Sequence, residues 1–311
     1  MRRRRRPPVE VLDPVAPVSI ITSPRRSPGS IRLKRRVMAR EAQWHGPGAD
    51  RLPANRMTEL YDRIGHNYGV YRKPDPRIAR ALAQALGDAD PVVNVGAGAG
   101  SYEPAGRHVV AVEPSLEMIR QRPAGRGPVV RASATHLPFP DGAFAAAMAV
   151  LTVHHWPDRA LGLAEMARVA SRRVAILTWD PMAPPFWLVA DYFPRIGEVD
   201  RGTFPSLDDL RRVLGPVSVE PVLIPRDCTD GFLGAYWGRP RAYLDGGARL
   251  AISAFSRIGD VGPGLARLER DLADGTWECR YGSLLERTEL DLGYRLVVLD
   301  RPGSGGTRVS S

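Results

Sequence analysis

From Met57 onward, apolar positions recur with a regular period. Leu60, Tyr61 and Ile64 share one helical face, Tyr68 and Tyr71 follow, and Pro74 and Pro76 break the run. Ile78, Ala81, Leu82 and Leu86 form a second helical stripe, ended by Gly87. Residues 91–95 are a short apolar run against a glycine cluster, which predicts a buried strand. Residues 109–112 predict a second strand, 128–131 a third, 144–151 a fourth and 174–178 a fifth, with helices over 115–122 and 157–170. Alternating strands and helices predict a parallel sheet covered on both faces. Past Asp180 the rhythm loosens. Helices are expected over 185–192 and 207–214, a strand over 217–224, helical segments over 240–258, 262–274 and 278–288, and a last strand over 294–299.

Composition changes this picture mainly at the ends. Residues 1–56 carry thirteen arginines and Lys34 against four carboxylates, which accounts for the whole formal charge of +10. The remaining chain is formally neutral, so the basicity belongs to a tail and argues against a nucleic-acid-binding body. That tail reads as a disordered Pro/Arg-rich extension. It lacks the smooth apolar run of an export signal, and Met57 opens a stretch that reads as a natural start. Residues 1–56 are therefore expected to be an over-extended gene start or a dispensable arm. Residues 301–311 are Gly/Ser-rich and read as a disordered tail. No run approaches the roughly 18 apolar residues of a membrane span. Cys228 and Cys279 give neither a disulfide framework nor a metal spacing, which points to a reducing, cytoplasmic setting. With Lys34 and Lys73 the only lysines, a Walker-type loop or a Schiff base has almost nothing to work with.

The strongest chemical signal is the strand 92–95 running into Gly96-Ala97-Gly98-Ala99-Gly100. Glycines there let the backbone turn sharply against a ligand at the carboxyl end of a strand. Glu113, at the end of the second strand, can accept hydrogen bonds from both hydroxyls of an adenosine ribose. Dinucleotides need Gly-x-Gly-x-x-Gly and a helix N-terminus facing the pyrophosphate. Only about one helical turn fits between Gly98 and Val109, which also hold Pro104 and Gly106. S-adenosylmethionine has no phosphate and no such need, so the spacing favours the methyl donor.

The segments VVNVGAGAGSYEP, VVAVEPSLEMIRQR, RASATHLPFPDGAF, AVLTVHHWPD and RVAILTWDP, in that order and spacing, resemble the class I S-adenosylmethionine-dependent methyltransferases, especially the ubiquinone/menaquinone-methyltransferase-like, type 11 group. The resemblance covers residue 57 to about residue 181. It implies an α/β, Rossmann-like seven-stranded sheet with a helical C-terminal lid, and needs no metal. Under it, Gly96, Ala97 and Gly98 lie beneath the methionine part and Glu113 takes the ribose. Pro114 and Met118 lie beside the adenine, Ser133 and Ala134 at its edge, and Leu151 beyond the fourth strand. Tyr68 and Arg72 match residues that close over the cofactor and its carboxylate. Asn94 and Ser133 depart from the acidic residues relatives often carry there; Asn94 can still reach the methionine amine through water. The implied organisation is a cofactor-binding core over 57–180, with a substrate lobe and the last strands over 181–300.

His154 and His155 follow the fourth strand, where the transferred methyl group should emerge. One of them could act as general base; capping or tying the next helix is the plainer role. Trp156, together with Trp179, Phe186, Trp187, Phe232, Tyr236 and Trp237, could be core or could wall an apolar acceptor pocket. Asp227 and Asp230 suit a turn before Gly231 or a substrate contact. The expected activity is methyl transfer to an O, N or C atom of a small-molecule acceptor. An RNA or DNA methyltransferase using the basic tail, and an inactive scaffold of the same fold, are the alternatives. Base-amine enzymes usually carry Asp/Asn-Pro-Pro-Tyr/Phe where Thr152–Trp156 stands here.

Overall fold

The computed structural model describes residues 68–301; the basic segment 1–56, the predicted helical face at 57–64 and residues 302–311 lie outside the described residues. Val92–Val95 (β1), Val109–Val112 (β2), Val129–Val130 (β3), Phe144–Val150 (β4) and Ala170–Trp179 (β5) run parallel. Ser218–Pro221 (β6) and Tyr294–Asp300 (β9) complete a seven-stranded sheet in the order β3-β2-β1-β4-β5-β9-β6, with β9 antiparallel to both neighbours. Ile224–Pro225 (β7) and Glu289–Leu290 (β8) form a separate two-stranded ribbon. Strand order reverses between β1 and β4. Open α/β sheets bind ligands at the carboxyl ends of strands beside such a switch point.

Both faces of the sheet are covered, as the uninterrupted apolar strands require. Val93 and Val95 face the helices Arg159–Val169 and Leu207–Leu214, meeting Leu163, Met166 and Leu210 in one core. Val92 faces the other way, towards Leu86 of the helix Pro76–Leu86. Each such side chain contributes roughly 1.5–3 kcal/mol on full burial. Helix Pro76–Leu86 starts at an Asp75 N-cap with proline in its first turn and stops at Gly87. Helix Leu207–Leu214 opens with a Ser206/Asp209 capping box.

Asp75 also ties distant chain together. It accepts from the Arg77 and Thr229 backbone N–H groups (2.9 and 3.1 Å) and from the Arg77 guanidinium (2.8 and 3.0 Å). Burial alone would raise its pKa, but these donors outweigh it and hold the carboxyl at about 2, against an ordinary 3.8. A depressed carboxylate contributes stability above its unfolded pKa, and that contribution is lost as pH falls from 3.8 through about 2. Asp75→Asn is expected to flatten this part of the acid-unfolding curve. An unchanged acid slope in the variant would contradict this.

The C-terminal half adds a second hydrophobic cluster. Trp187 stacks edge-on against Tyr243 and Trp277, with ring centroids 5.6 and 5.3 Å apart, and donates its indole N–H to the Trp237 carbonyl at 2.9 Å. The sequence reading differs from the structure in two main places. Strand β5 begins four residues before the predicted 174, because Ala170 pairs with Phe144 and Arg173 with Ala146 across an irregular register. Helix Pro194–Thr203 was not expected, since among its residues only Ile196 is a buried large apolar side chain. Among the described residues no helix is long and apolar enough to cross a membrane.

Candidate active site

The loop after β1 folds back on the end of β2. The Gly96 and Ala97 N–H groups both donate to the Val112 carbonyl, at 2.8 and 3.0 Å. Gly96 holds φ +72°, and a Cβ there would run into the Thr152 hydroxyl and methyl groups. Thr152 is β-branched and stiff, so it has little freedom to give way. Gly96→Ala therefore carries both left-handed strain (about 1–2 kcal/mol) and overpacking (about 1–3 kcal/mol), and a comparable drop in unfolding free energy is expected in denaturant titration. Wild-type stability would refute the close approach.

Glu113 is the centre of this cradle. It is 7% exposed and accepts from the Gly98 N–H at 2.8 Å and the Ser115 N–H at 2.9 Å. Burial pushes its pKa up, against the pull of those two donors and the Arg122 charge. Asn94 donates its Nδ2 to Glu103 at 3.2 Å, and Glu103 pairs with Arg122 at 2.9 Å, both buried. The Asn94 Oδ1 is buried with no hydrogen-bond partner among the described residues. An acceptor left open in this way suits a ligand ammonium, because leaving it unmet costs about 1–3 kcal/mol. Met118 is buried, with its Cε next to the space that a Gly98 side chain would fill. Ala134 is buried, and Ser133 shares a 2.9 Å hydrogen bond with the Thr135 hydroxyl. Pro114 is exposed and its carbonyl accepts from Arg131 at 3.2 Å. A glycine turn, a ribose-type carboxylate and an open amide oxygen together fit S-adenosylmethionine.

Next to the cradle lies a cavity at the carboxyl ends of β4 and β5. Leu151, His154, His155, Trp179 and Phe186 line it, as does Phe204. Leu151 holds φ +49°, an uncommon value for a non-glycine residue, and its N–H donates to the Leu177 carbonyl at 2.8 Å. Thr152 touches the glycine loop while Leu151, His154 and His155 face the cavity, so the turn 151–155 is a wall common to both. His154 is buried and stacks on Phe204 with centroids 3.9 Å apart. Burial lowers its pKa well below the ordinary value, and the nearby His155, Arg257, Arg159 and Arg72 add to this, so the ring is neutral. His155 is lowered in the same way by burial, Arg257 and Arg72. The His154 Nδ1 has no partner among the described residues.

For Trp156, Asp227 and Asp230, each offered as either a structural residue or an acceptor contact, the structure gives a packing or pairing role. Trp156 does not line the cavity; it is packed into the core against Gly162, where a Cβ would collide with its ring. Asp227 is exposed and paired with Arg77 at 2.7 Å. Asp230 is 1% exposed and serves as a structural hub. It receives Arg72 Nε at 2.7 Å, the Tyr102 hydroxyl at 2.8 Å and the Gly231 N–H at 2.7 Å. Arg72 nevertheless lines the cavity, and the side chain of Tyr68 lies outside the described residues. Sequence reasoning missed Asp200 and Arg257, which meet at 2.6 Å in the cavity wall. No local motif marks either residue.

Sheet order and cradle define the class I methyltransferase architecture. The model of a methyltransferase domain family matches residues 93–177. A solved structure from Anabaena variabilis ATCC 29413, provisionally described as a methyltransferase from an antibiotic biosynthesis pathway, is 33% identical. The match covers 74% of this chain and 99% of that one, with a TM-score of 0.68. Geranyl diphosphate C-methyltransferase from Streptomyces coelicolor A3(2) is 15% identical over 82% of this chain and 100% of its own, with a TM-score of 0.45. No curated protein matches significantly. The chain belongs to the class I S-adenosylmethionine-dependent methyltransferases, and S-adenosylmethionine is its methyl donor.

Proposed function

We propose that the enzyme methylates an O, N or C atom of a small-molecule acceptor held in the cavity beside the cradle. The observation that carries this is the common wall: the turn 151–155 touches the glycine loop on one side and the cavity on the other. In this reading Gly96, Ala97, Gly98 and Asn94 hold the methionine end, and Glu113 the ribose. Pro114, Met118, Ser133 and Ala134 surround the adenine, with Leu151, Tyr68 and Arg72 closing the site. Residues 57–180 act as the cofactor-binding core and 181–300 as the substrate lobe, in a cytoplasmic protein.

Bound S-adenosylmethionine supplies an electrophilic methyl group. The protein's part is alignment, which contributes roughly 7–11 kcal/mol in well-oriented reactions. An acceptor O–H or N–H must also lose its proton. The neutral His154, with its unpartnered Nδ1, suits that role, and His155 supports it from beside the ring. His154→Phe, which keeps the stacking on Phe204, is expected to lower kcat about 10²-fold with KM little changed. An unchanged kcat would remove the base role. The small-molecule reading is tested by following labelled methyl groups from S-adenosylmethionine into a cell extract. Label should enter the dialysable fraction; label confined to RNA, DNA or protein would contradict the reading.

A further inference from the structure

The cavity wall contains more positive charge than it neutralises. Arg72, Arg201 and Arg257 line it, with Asp200 as the only lining carboxylate among the described residues, and His154 and His155 are uncharged. Arg72 is held by Asp230, which lies behind the wall. Arg257 stands apart from the other two. Its side chain is 8% exposed, its Nη2 donates to Asp200 at 2.6 Å and its Nε to the Ser253 carbonyl at 3.3 Å. Its Nη1 has no hydrogen-bond partner among the described residues. A buried guanidinium with one unmet N–H edge costs stability that a bound acceptor oxygen would recover. The Arg257 charge depresses both histidines, so it acts within the same cavity as the residues lining the turn.

We propose that the methyl acceptor is an apolar molecule carrying a single carboxylate, and that Arg257 receives this carboxylate through its unpartnered Nη1 edge. The inference rests on the methyltransferase reading of the cavity. Its two halves come from different observations. The apolar body is called for by Trp179, Phe186, Val189, Phe204 and Phe232, which make up much of the lining. The single negative charge is called for by the buried, unpartnered guanidinium edge of Arg257, the one such edge in the lining among the described residues. A diphosphate would bring several charges, whereas of the other two lining cations Arg72 is already engaged by Asp230 and Arg201 is exposed. Arg257 thus acts in acceptor recognition, and the nucleophilic atom is a separate position on the acceptor.

The test uses the full chain, first loaded with S-adenosylhomocysteine and then titrated calorimetrically with octanoate, 3-phenylpropionate and 1-naphthylacetate, each against its corresponding alcohol. At least one acid is expected to bind about tenfold or more tightly than its alcohol, the size of one charge-assisted hydrogen bond. That preference should vanish in Arg257→Gln. It should also vanish in the double variant Asp200→Asn/Arg257→Gln, which leaves no unpaired buried charge and so guards against misfolding. S-adenosylhomocysteine affinity, set by the cradle, should survive in both. Equal or tighter binding of the alcohols, binding by none of the six probes, or a preference that persists without Arg257 would overturn the inference while leaving the enzyme class intact. Failure of the wild-type protein to bind S-adenosylhomocysteine would instead overturn the reading on which it rests.

Discussion

Glu113→Ala is expected to weaken S-adenosylmethionine binding by roughly 10²–10⁴-fold while leaving the protein folded. A carboxylate that accepts from two ribose hydroxyls makes two charge-assisted hydrogen bonds, each worth about 1.5–3 kcal/mol. Its position is fixed before any ligand arrives, because the Gly98 and Ser115 N–H groups hold one oxygen each. The lone pairs not used by these donors remain for the ligand. Glu113→Gln keeps the size and loses the charge, and should fall between wild type and alanine. Equilibrium binding of S-adenosylhomocysteine checks both variants, with circular dichroism confirming the fold. Less than about threefold loss in Glu113→Ala would show that the carboxylate holds only the loop.

Asp230→Ala carries the largest expected stability effect, about 3–5 kcal/mol, the usual cost of breaking a buried ion pair from one side. The carboxylate gathers Arg72, Tyr102 and the Gly231 N–H, so it joins three stretches of chain. Tyr102 lies just past the glycine loop and also accepts from the Asp75 N–H at 3.3 Å. Removing Asp230 should therefore loosen the cradle as well as the lobe, lowering the denaturation midpoint and the cofactor affinity together. Asp230→Asn retains the shape and part of the hydrogen bonding, and should cost less. A midpoint within the range of ordinary surface substitutions, about 0.5 kcal/mol, would contradict the hub role.

The residues that proved readable in the sequence are those whose roles are local. Val92–Val95 followed by a glycine run, with Glu113 closing the next strand, announces a sheet edge and a ligand turn through neighbours a few positions away. The apolar stripe of helix Pro76–Leu86, the proline break before it and its Gly87 end are readable for the same reason. The cavity beside the cradle was much less readable. Its walls come from Leu151, Phe204 and Arg257, more than a hundred positions apart at the extremes, and only the tertiary fold brings them together. Arg257 looks in sequence like any surface arginine, and its partner Asp200 sits in a helix that the apolar pattern did not reveal. For Trp156 the sequence left core and cavity wall both open, because the residue that decides between them lies in the next helix. Gly162, a residue without a side chain, lets the next helix close over its ring and draws it into the core.

The most direct test of the central claim is a calorimetric titration of the protein with S-adenosylmethionine, S-adenosylhomocysteine and NADH. The account predicts about micromolar binding of the first two and none of the third. Preference for NADH, or no binding of either sulfur compound, would contradict it.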